Sequence, residues 1–223
     1  MTARRAASLA ALRATDIYGL TAEEYSLGRS NVEVVRLLLE AGVRVIQYRE
    51  KDKKAGEMYR ECQAIRESTR AAGAVFIVND HIDLAVLTDA DGVHVGQEDL
   101  PVAAVRQLVG PDRLVGLSTH APQEARAAEA SGLVDYIGVG PIFATKTKKD
   151  VCAPVGFAYL EYVAASIGLP FVAIGGIKEH NIASVAARGA TTLALVTEIV
   201  GQHDMAAKVR ALRAALGAAL GRR

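Results

Sequence analysis

Eight short apolar runs recur along the chain, and helical patterns separate them. Each run holds four to six residues and is bounded by polar or turn-forming residues, which is typical of a buried parallel strand. Strands that alternate with helices are joined by helical crossovers and lie parallel to one another. Eight such units predict an α/β fold, a closed (β/α)8 TIM barrel, rather than an open doubly wound sheet. The predicted strands are Asp16–Leu20, Val43–Tyr48, Ala74–Val78, Gly92–Val95, Arg113–Leu117, Asp135–Val139, Pro170–Ile174 and Thr191–Val196.

The predicted helices fill the intervals between these runs. Asn31 is expected to cap the first of them, which Gly42 ends, and Pro101 suits the first turn of another. The Ala-rich segment Met1–Ala14 is expected to form a short N-terminal helical extension that caps the domain or packs on its outside. No linker or low-complexity tract divides the sequence, so residues 1–223 are expected to form a single domain. The other predicted helices are Lys53–Ala72, His81–Leu87, Pro122–Ala130, Phe157–Ile167, Asn181–Arg188 and Asp204–Leu220.

Charge and cysteine content narrow the class of protein. The formal net charge is +1, whereas binding to nucleic acid or to a membrane surface needs a basic excess, so we expect neither. No apolar run approaches the roughly 20 residues that span a bilayer, and residues 1–14 lack the apolar centre of a secretory signal. The two cysteines, Cys62 and Cys152, indicate no disulfide framework. We therefore expect a cytoplasmic protein acting on small molecules, and the sequence leaves open whether it forms a homo-oligomer.

Polar side chains follow most of the predicted strands, at the point where each strand ends. In a closed parallel barrel these ends meet at one mouth, and that mouth carries the chemistry. The residues that the sequence places there are Gln47, Arg49, Lys51, Asn79, Asp80, Gln97, Asp99, Ser118, Thr119, His120, Thr145, Lys146, Thr147, Lys148, Gly175, Gly176 and Thr197.

Two of these residues, Asp80 and Asp99, are carboxylates that follow different strands. Mg²⁺ usually takes one or two protein carboxylates and completes its coordination with water and phosphate oxygens. Cations at the same mouth, Arg49, Lys51 and Lys148, suit the other side of a bound diphosphate. Either aspartate could instead cap a helix, but both together among cations favour a magnesium site.

A second anion site is expected where Gly175 and Gly176 lead from a strand into a helix. Glycines allow close approach to a phosphate, and barrels often bind phosphate after their seventh and eighth strands. Thr197 is placed to donate a hydroxyl, although the glycines alone would also suit a plain tight turn. The long loop Gly140–Asp150 is expected to act as a lid, with a solvated surface loop as the alternative.

The motifs in these positions resemble those of the thiamine-phosphate synthase family. The resemblance covers about residues 18–200. It implies a (β/α)8 barrel that uses Mg²⁺ to join 4-amino-5-hydroxymethyl-2-methylpyrimidine diphosphate to 4-methyl-5-(2-phosphoethyl)thiazole, giving thiamine phosphate and diphosphate. The matching motifs are Gln47–Lys51, Asn79–Asp80, Asp91–Asp99, Gly116–His120, Gly138–Phe143, Thr145–Lys148 and Ile174–Ile177.

The resemblance also implies roles for single residues. Asp80 and Asp99 correspond to the magnesium ligands. The residues that correspond to those holding the pyrimidine diphosphate are Gln47, Tyr48, Arg49, Glu50, Lys51, Asn79, Ser118 and Lys148. Those around the thiazole phosphate are Thr145, Lys146, Thr147, Gly176, Val196 and Thr197. Tyr48 departs from the leucine that is commoner in the family, and its neighbours indicate that it packs into the barrel. Lys146 stands where many members have a small hydroxyl residue.

This chemistry predicts a dissociative displacement in which Arg49, Lys51, Lys148 and Ser118 are the catalytic residues. No protein nucleophile is needed, and the sequence leaves open whether His120 or Cys152 takes any part. A phosphosugar isomerase or aldolase would need a catalytic glutamate–histidine pair or a central strand lysine. A thiazole tautomerase-like or non-catalytic paralogue on the same barrel is the alternative, and it would be expected to lose part of the acidic pair.

Overall fold

The computed structural model describes residues 1–147 and 152–219. Its eight strands each pair in parallel with the next, and β8 pairs with β1, so the sheet closes into a barrel. The (β/α)8 barrel predicted from the alternating apolar runs is therefore confirmed. The strands are β1 (Ile17–Leu20), β2 (Val45–Tyr48), β3 (Val75–Asn79), β4 (Gly92–Val95), β5 (Leu114–Thr119), β6 (Tyr136–Val139), β7 (Phe171–Ile174) and β8 (Leu193–Leu195).

Most of the helices lie between consecutive strands, as crossovers between parallel strands require. The sequence prediction lacks the 3-10 helix Glu23–Tyr25 and the short helix α9, because three or four residues carry no helical period. Within the described residues no helix is both long and apolar enough to cross a membrane. The helices are α1 (Ala3–Ala14), α2 (Asn31–Glu40), α3 (Ala55–Ala71), α4 (Ile82–Leu87), α5 (Val102–Val109), α6 (Pro122–Ser131), α7 (Gly156–Ser166), α8 (Ile182–Ala186), α9 (Thr197–Val200) and α10 (Met205–Ala219).

The start of α2 differs from the sequence prediction. Its N-cap is Ser30, whose Oγ accepts a hydrogen bond from the Glu33 N–H at 3.3 Å, and not Asn31. Asn31 is buried in the first turn instead, where its Nδ2 donates to the carboxylates of Glu50 and Glu61 at 3.0 and 3.1 Å. Serine and asparagine cap helices about equally well. The long-range partners of Asn31 therefore decide the cap position.

The pleat of the strands divides their side chains between two apolar layers. Consecutive residues of a strand point to opposite faces of the sheet. Ile46 and Phe76 belong to the layer between the sheet and the helices, whereas Val45 and Ile77 belong to the layer inside the barrel. This alternation decides which side chains of each strand can line the mouth from within.

Helix α1 closes the barrel at the N-terminal ends of the strands. Leu12 is fully buried in the layer of side chains inside the barrel. Arg4 pairs with Asp89 at 2.6 Å, just before β4, and Arg5 pairs with Asp135 at 2.7 Å, just before β6. The extension predicted over residues 1–14 is therefore a helix that seals the end of the barrel opposite the mouth.

We predict that Leu12→Ala destabilises the protein strongly, because it removes a fully buried side chain from the seal. A Leu→Ala change in a core costs about 2–5 kcal/mol. Leu108→Ala on α5 is the matched control, since Leu108 is 58% exposed. The midpoint of urea unfolding should fall clearly for Leu12→Ala and stay near that of the unmodified protein for Leu108→Ala. Equal midpoints for the two variants would show that α1 does not seal the barrel.

Candidate active site

A cavity of about 1000 Å³ opens at the C-terminal ends of the strands. All eight strands run in one direction, so the residues that follow them converge on this mouth. Cavities of this size, with a few polar groups directed into them, are typical of sites for small molecules and cofactors.

Most residues that the sequence predicts for the site line this cavity. One of the predicted cations, Lys148, lies outside the described residues. The predicted residues that line the cavity are Arg49, Lys51, Asn79, Asp80, Asp99, Ser118, Thr145, Lys146, Thr147, Gly176, Val196 and Thr197.

Asp80 and Asp99 are neighbouring carboxylates on the wall of the cavity. The Asp80 carboxylate accepts a hydrogen bond from the Lys51 ammonium, and Oδ2 of Asp99 accepts one from the Gly96 N–H at 2.7 Å. Burial raises the pKa of Asp80, Lys51 lowers it, and the neighbouring Asp99 carboxylate raises it again, so the pKa of Asp80 is raised overall. Two adjacent carboxylates in a partly buried site repel each other in this way. The pair therefore favours a cation bound between them.

Neither carboxylate serves as a helix cap, which was the alternative left open by the sequence. The residue before α4 is His81, and the residue before α5 is Pro101. Asp80 has a left-handed backbone, with φ of 60°, and its N–H donates to the His94 carbonyl at 2.9 Å. Non-glycine residues adopt this region rarely, and it often marks a functional position. The backbone thus turns the Asp80 side chain into the mouth instead of onto the next helix.

The segment after β2 presents two cations to the same side of the cavity. The Arg49 N–H donates to Oγ1 of Thr21 at 2.8 Å, and the Thr21 hydroxyl donates back to the Arg49 carbonyl at 3.1 Å. This reciprocal pair fixes the backbone between the end of β2 and the loop after β1. Arg49 and Lys51 both line the cavity as a result.

Three of the residues that the resemblance assigns to the pyrimidine diphosphate, Gln47, Tyr48 and Glu50, do not line the cavity. Gln47 points into the barrel below the mouth and is 4% exposed. Tyr48 follows it on the opposite face of the strand. There its hydroxyl donates to Glu61 of α3 at 2.6 Å. Glu50 turns back beneath the loop, where it accepts hydrogen bonds from Asn31 and from the Lys51 N–H at 3.0 and 2.8 Å. None of these three side chains lines the cavity.

Glu61 joins the segments that lie behind the cationic side of the mouth. Its carboxylate accepts hydrogen bonds from Tyr48, Asn31 and Lys53, the last at 2.5 Å. Lys53 also pairs with Glu23 of the loop after β1 at 2.5 Å. A partly buried carboxylate with several donors restricts the groups around it. This cluster therefore holds the loops that carry Arg49 and Lys51 in one arrangement.

Ser118, at the end of β5, lies at the base of the cavity beside His94, a residue that the sequence prediction omits. Nε2 of His94 is 3.0 Å from the Ser118 hydroxyl, and the Gln97 side chain donates to the Ser118 carbonyl at 2.7 Å. His94 lies in β4 between Val93 and Val95, which are buried in the outer layer. The alternation of that strand would have placed His94 inside the barrel.

The glycine pair after β7 packs tightly against the loop after β6. Gly175 and Gly176 have φ values of 97° and 63°, which favour glycine. A Cβ on Gly176 would come within 2.7 Å of the side chain of Phe143 and of the Ala144 carbonyl. The Phe143 N–H donates to the Gly175 carbonyl at 3.0 Å. The glycines thus provide both the turn and the space that bring the two loops together at the mouth.

The predicted lid begins at this packed turn and crosses the mouth. The Tyr25 hydroxyl donates to the Lys146 carbonyl at 3.2 Å, and the hydroxyls of Thr145 and Thr147 lie 3.2 Å apart. At the base of the loop, Nδ1 of His120 is 2.5 Å from the Gly140 carbonyl. His120 thus contacts the lid backbone. Residues 148–151 of the loop lie outside the described residues.

A closed (β/α)8 barrel with acidic, basic and glycine-rich strand ends at one mouth is typical of barrel enzymes that act on phosphorylated small molecules. The profile of the family described as thiamine monophosphate synthase matches residues 17–199. The chain belongs to this thiamine monophosphate synthase family.

Individual relatives with high sequence identity carry the name of the same enzyme. The chain is 68% identical over 210 residues to the thiamine-phosphate synthase of Pelotomaculum thermopropionicum, covering 94% of this chain and 96% of that protein. It is 53% identical over 201 residues to the thiamine-phosphate synthase of Lawsonia intracellularis, with 90% and 92% covered. The solved structure of thiamine phosphate pyrophosphorylase from Pyrococcus furiosus superposes with a TM-score of 0.83 at 33% identity, covering 92% of this chain and 97% of that one. The predicted family and its transferase function are confirmed.

We predict that Gly176→Ala weakens phosphate binding and lowers stability. The added Cβ strains a left-handed residue, which costs about 1–2 kcal/mol, and it also displaces the loop at Phe143 and Ala144. Gly73→Ala is the matched control, because Gly73 has nearly the same φ, 62°, with open space around its missing Cβ. Calorimetric titration with inorganic phosphate should show a loss of affinity for Gly176→Ala alone. Equal phosphate affinity in both variants would contradict an anion site at this turn.

Proposed function

We propose that this chain joins the pyrimidine diphosphate to the thiazole phosphate and releases diphosphate, the reaction that its resemblance to thiamine-phosphate synthases implies. The observation that carries the proposal is the arrangement of Asp80, Asp99, Lys51 and Arg49 on the wall of one cavity. A diphosphate needs cations, and a carboxylate pair beside those cations suits a metal that bridges to phosphate oxygens. The glycine turn at Gly176 lines the same cavity and supplies a place for the second substrate's phosphate.

The carboxylate pair fits Mg²⁺. Asp80 and Asp99 offer hard oxygen ligands, and burial together with the neighbouring Asp99 raises the pKa of Asp80. Across residues 1–147 and 152–219, no group of three or more His, Cys, Asp or Glu side chains is placed to hold a metal ion. This agrees with an ion that takes only two protein carboxylates and completes its coordination with water and substrate phosphate. When bound there, Mg²⁺ would neutralise charge on the diphosphate oxygens.

The reaction we propose is a dissociative displacement. The bond between the pyrimidine methylene carbon and the diphosphate oxygen breaks first, and its electron pair leaves with the diphosphate. The amino group of the pyrimidine stabilises the cation that remains, and the thiazole nitrogen then attacks the methylene carbon. Arg49 and Lys51 stabilise the charge that builds on the departing diphosphate. Lys148 is assigned the same role by the sequence alone.

The remaining roles follow from the positions on the cavity wall and from the resemblance. Asn79 and Ser118 face the space beside the carboxylates, which suits contacts with the pyrimidine half. Thr145, Lys146 and Thr147 lie on the lid side, and Val196 and Thr197 follow β8. We assign these five residues to the thiazole phosphate. Closure of the lid would then exclude water, which otherwise competes for the pyrimidine cation.

A product assay tests the proposed function directly. The protein is mixed with both phosphorylated substrates and Mg²⁺, and thiamine phosphate and diphosphate are measured as products. Equal amounts of the two products are expected, and none when either substrate is left out. A correctly folded protein that gives no product would favour the alternative of a tautomerase-like or non-catalytic member of the barrel family.

We predict that Asp80→Asn and Asp99→Asn each lower kcat by about 10²–10³, the usual cost of removing one charged group directed at a developing charge. Asparagine tolerates the left-handed backbone of Asp80, so the change removes charge with little strain. Asp112→Asn is the control, because Asp112 lies in the turn before β5, at the far end of the barrel. Activity should be measured against Mg²⁺ concentration. Unchanged Mg²⁺ dependence in both site variants would refute the metal assignment.

A further inference from the structure

A continuous line of hydrogen-bonding side chains runs through the inside of the barrel and ends at the cavity. Nε2 of Gln47 donates to the Tyr18 hydroxyl at 3.0 Å, and the hydroxyls of Tyr18 and Tyr136 are 3.0 Å apart. The Tyr136 hydroxyl is 3.1 Å from Nδ1 of His94, whose Nε2 is 3.0 Å from Ser118. The proposed function assigns a role to Ser118 but leaves the residues behind it without one.

The protons on these side chains limit which atom can donate in each hydrogen bond. Burial raises the pKa of both Tyr18 and Tyr136, so each hydroxyl keeps its single proton. Gln47 donates to Tyr18, so the buried Tyr18 proton is paired only if Tyr18 donates to Tyr136, and the Tyr136 proton is then paired by donation to Nδ1 of His94. A neutral imidazole that accepts at Nδ1 carries its proton on Nε2. In that form Nε2 would donate to the Ser118 oxygen, 3.0 Å away, and the Ser118 proton would be left for a group in the cavity.

We propose that Tyr18, Tyr136 and His94 are positioning residues that hold His94 in its Nε2–H form and thereby make the Ser118 hydroxyl a hydrogen-bond donor to the bound substrate. Ser118 would then select a substrate atom that accepts a hydrogen bond, such as a ring nitrogen of the pyrimidine. This role in catalysis rests on the proposed function. The inferred direction of the hydrogen bonds does not rest on it, since it is argued from the protein's own side chains.

Two glycines provide the space that the line needs. A Cβ on Gly116 would lie 2.3 Å from Cζ of Tyr136 and 2.4 Å from Nδ1 of His94. A Cβ on Gly138 would lie 3.3 Å from Cε1 of His94. Gly116 has no left-handed backbone that would itself call for glycine. The missing side chain therefore allows the Tyr136–His94 contact, and this contact is the step that fixes the form of the imidazole.

The form of His94 is directly measurable in the protein without substrate. In ¹H–¹⁵N spectra of histidine-labelled protein near neutral pH, with His94 assigned by loss of its signals in His94→Gln, we expect a proton on Nε2 and none on Nδ1. Tyr136→Phe should yield a mixture of the two neutral forms, because phenylalanine cannot donate to Nδ1. A proton on Nδ1 in the unmodified protein, with or without one on Nε2, would overturn the proposal even if the enzyme makes thiamine phosphate.

Kinetics test whether the line acts through Ser118. Loss of one neutral hydrogen bond in Tyr136→Phe should lower kcat/KM for the pyrimidine diphosphate by about three- to tenfold. Added to Ser118→Ala, the same change should have no further effect, since no hydroxyl remains to be oriented. A multiplied loss in the double variant would show that Tyr136 acts only by packing. Tyr159→Phe is the control, because Tyr159 is also buried but belongs to the outer layer, and the kcat/KM of this variant should stay unchanged.

Discussion

Closure of the parallel sheet is the constraint on which the rest of the molecule depends. Once β8 pairs with β1, every strand points its C-terminal end at the same opening. Groups distant in sequence, such as Asp80 and Gly176, then share one cavity wall. The opposite end must be sealed to keep the interior dry, and α1 does so with Leu12 and two ion pairs. The barrel thus separates an end that gives stability from an end that carries the chemistry.

The carboxylates of Asp80 and Asp99 are only partly compensated by the neighbouring Lys51. Lys51 partly compensates Asp80, but burial and Asp99 still raise the pKa of Asp80. If the loops that carry these charged groups moved freely, ordering them on binding would cost free energy. The reciprocal Thr21–Arg49 hydrogen bonds and the partly buried Glu61 cluster hold those loops from behind. The proposed substrate and Mg²⁺ would then meet groups that are already oriented, which lowers the cost of ordering them on binding.

The sequence predicted the barrel and most of the mouth because both depend on local patterns. Apolar runs reveal strands, and the residue after each run falls at the mouth. The features that the sequence did not predict depend on contacts between distant segments. The Tyr48 hydroxyl bonds to Glu61 of α3, and Asn31 loses the cap position to Ser30 because Glu50 and Glu61 bind its amide. No spacing in the chain encodes such partners.

The polar line inside the barrel depends partly on local sequence patterns and partly on contacts between distant segments. Strand alternation places Tyr18, Tyr136 and His94 in the interior, yet only the closed structure brings their polar atoms within 3.1 Å of each other. Polar groups inside an otherwise apolar barrel are costly unless each is paired. An apolar interior would satisfy the fold equally well. A paired line that ends at Ser118 therefore suits hydrogen bonding in the cavity better than packing alone, and Gly116 leaves the space in which it forms.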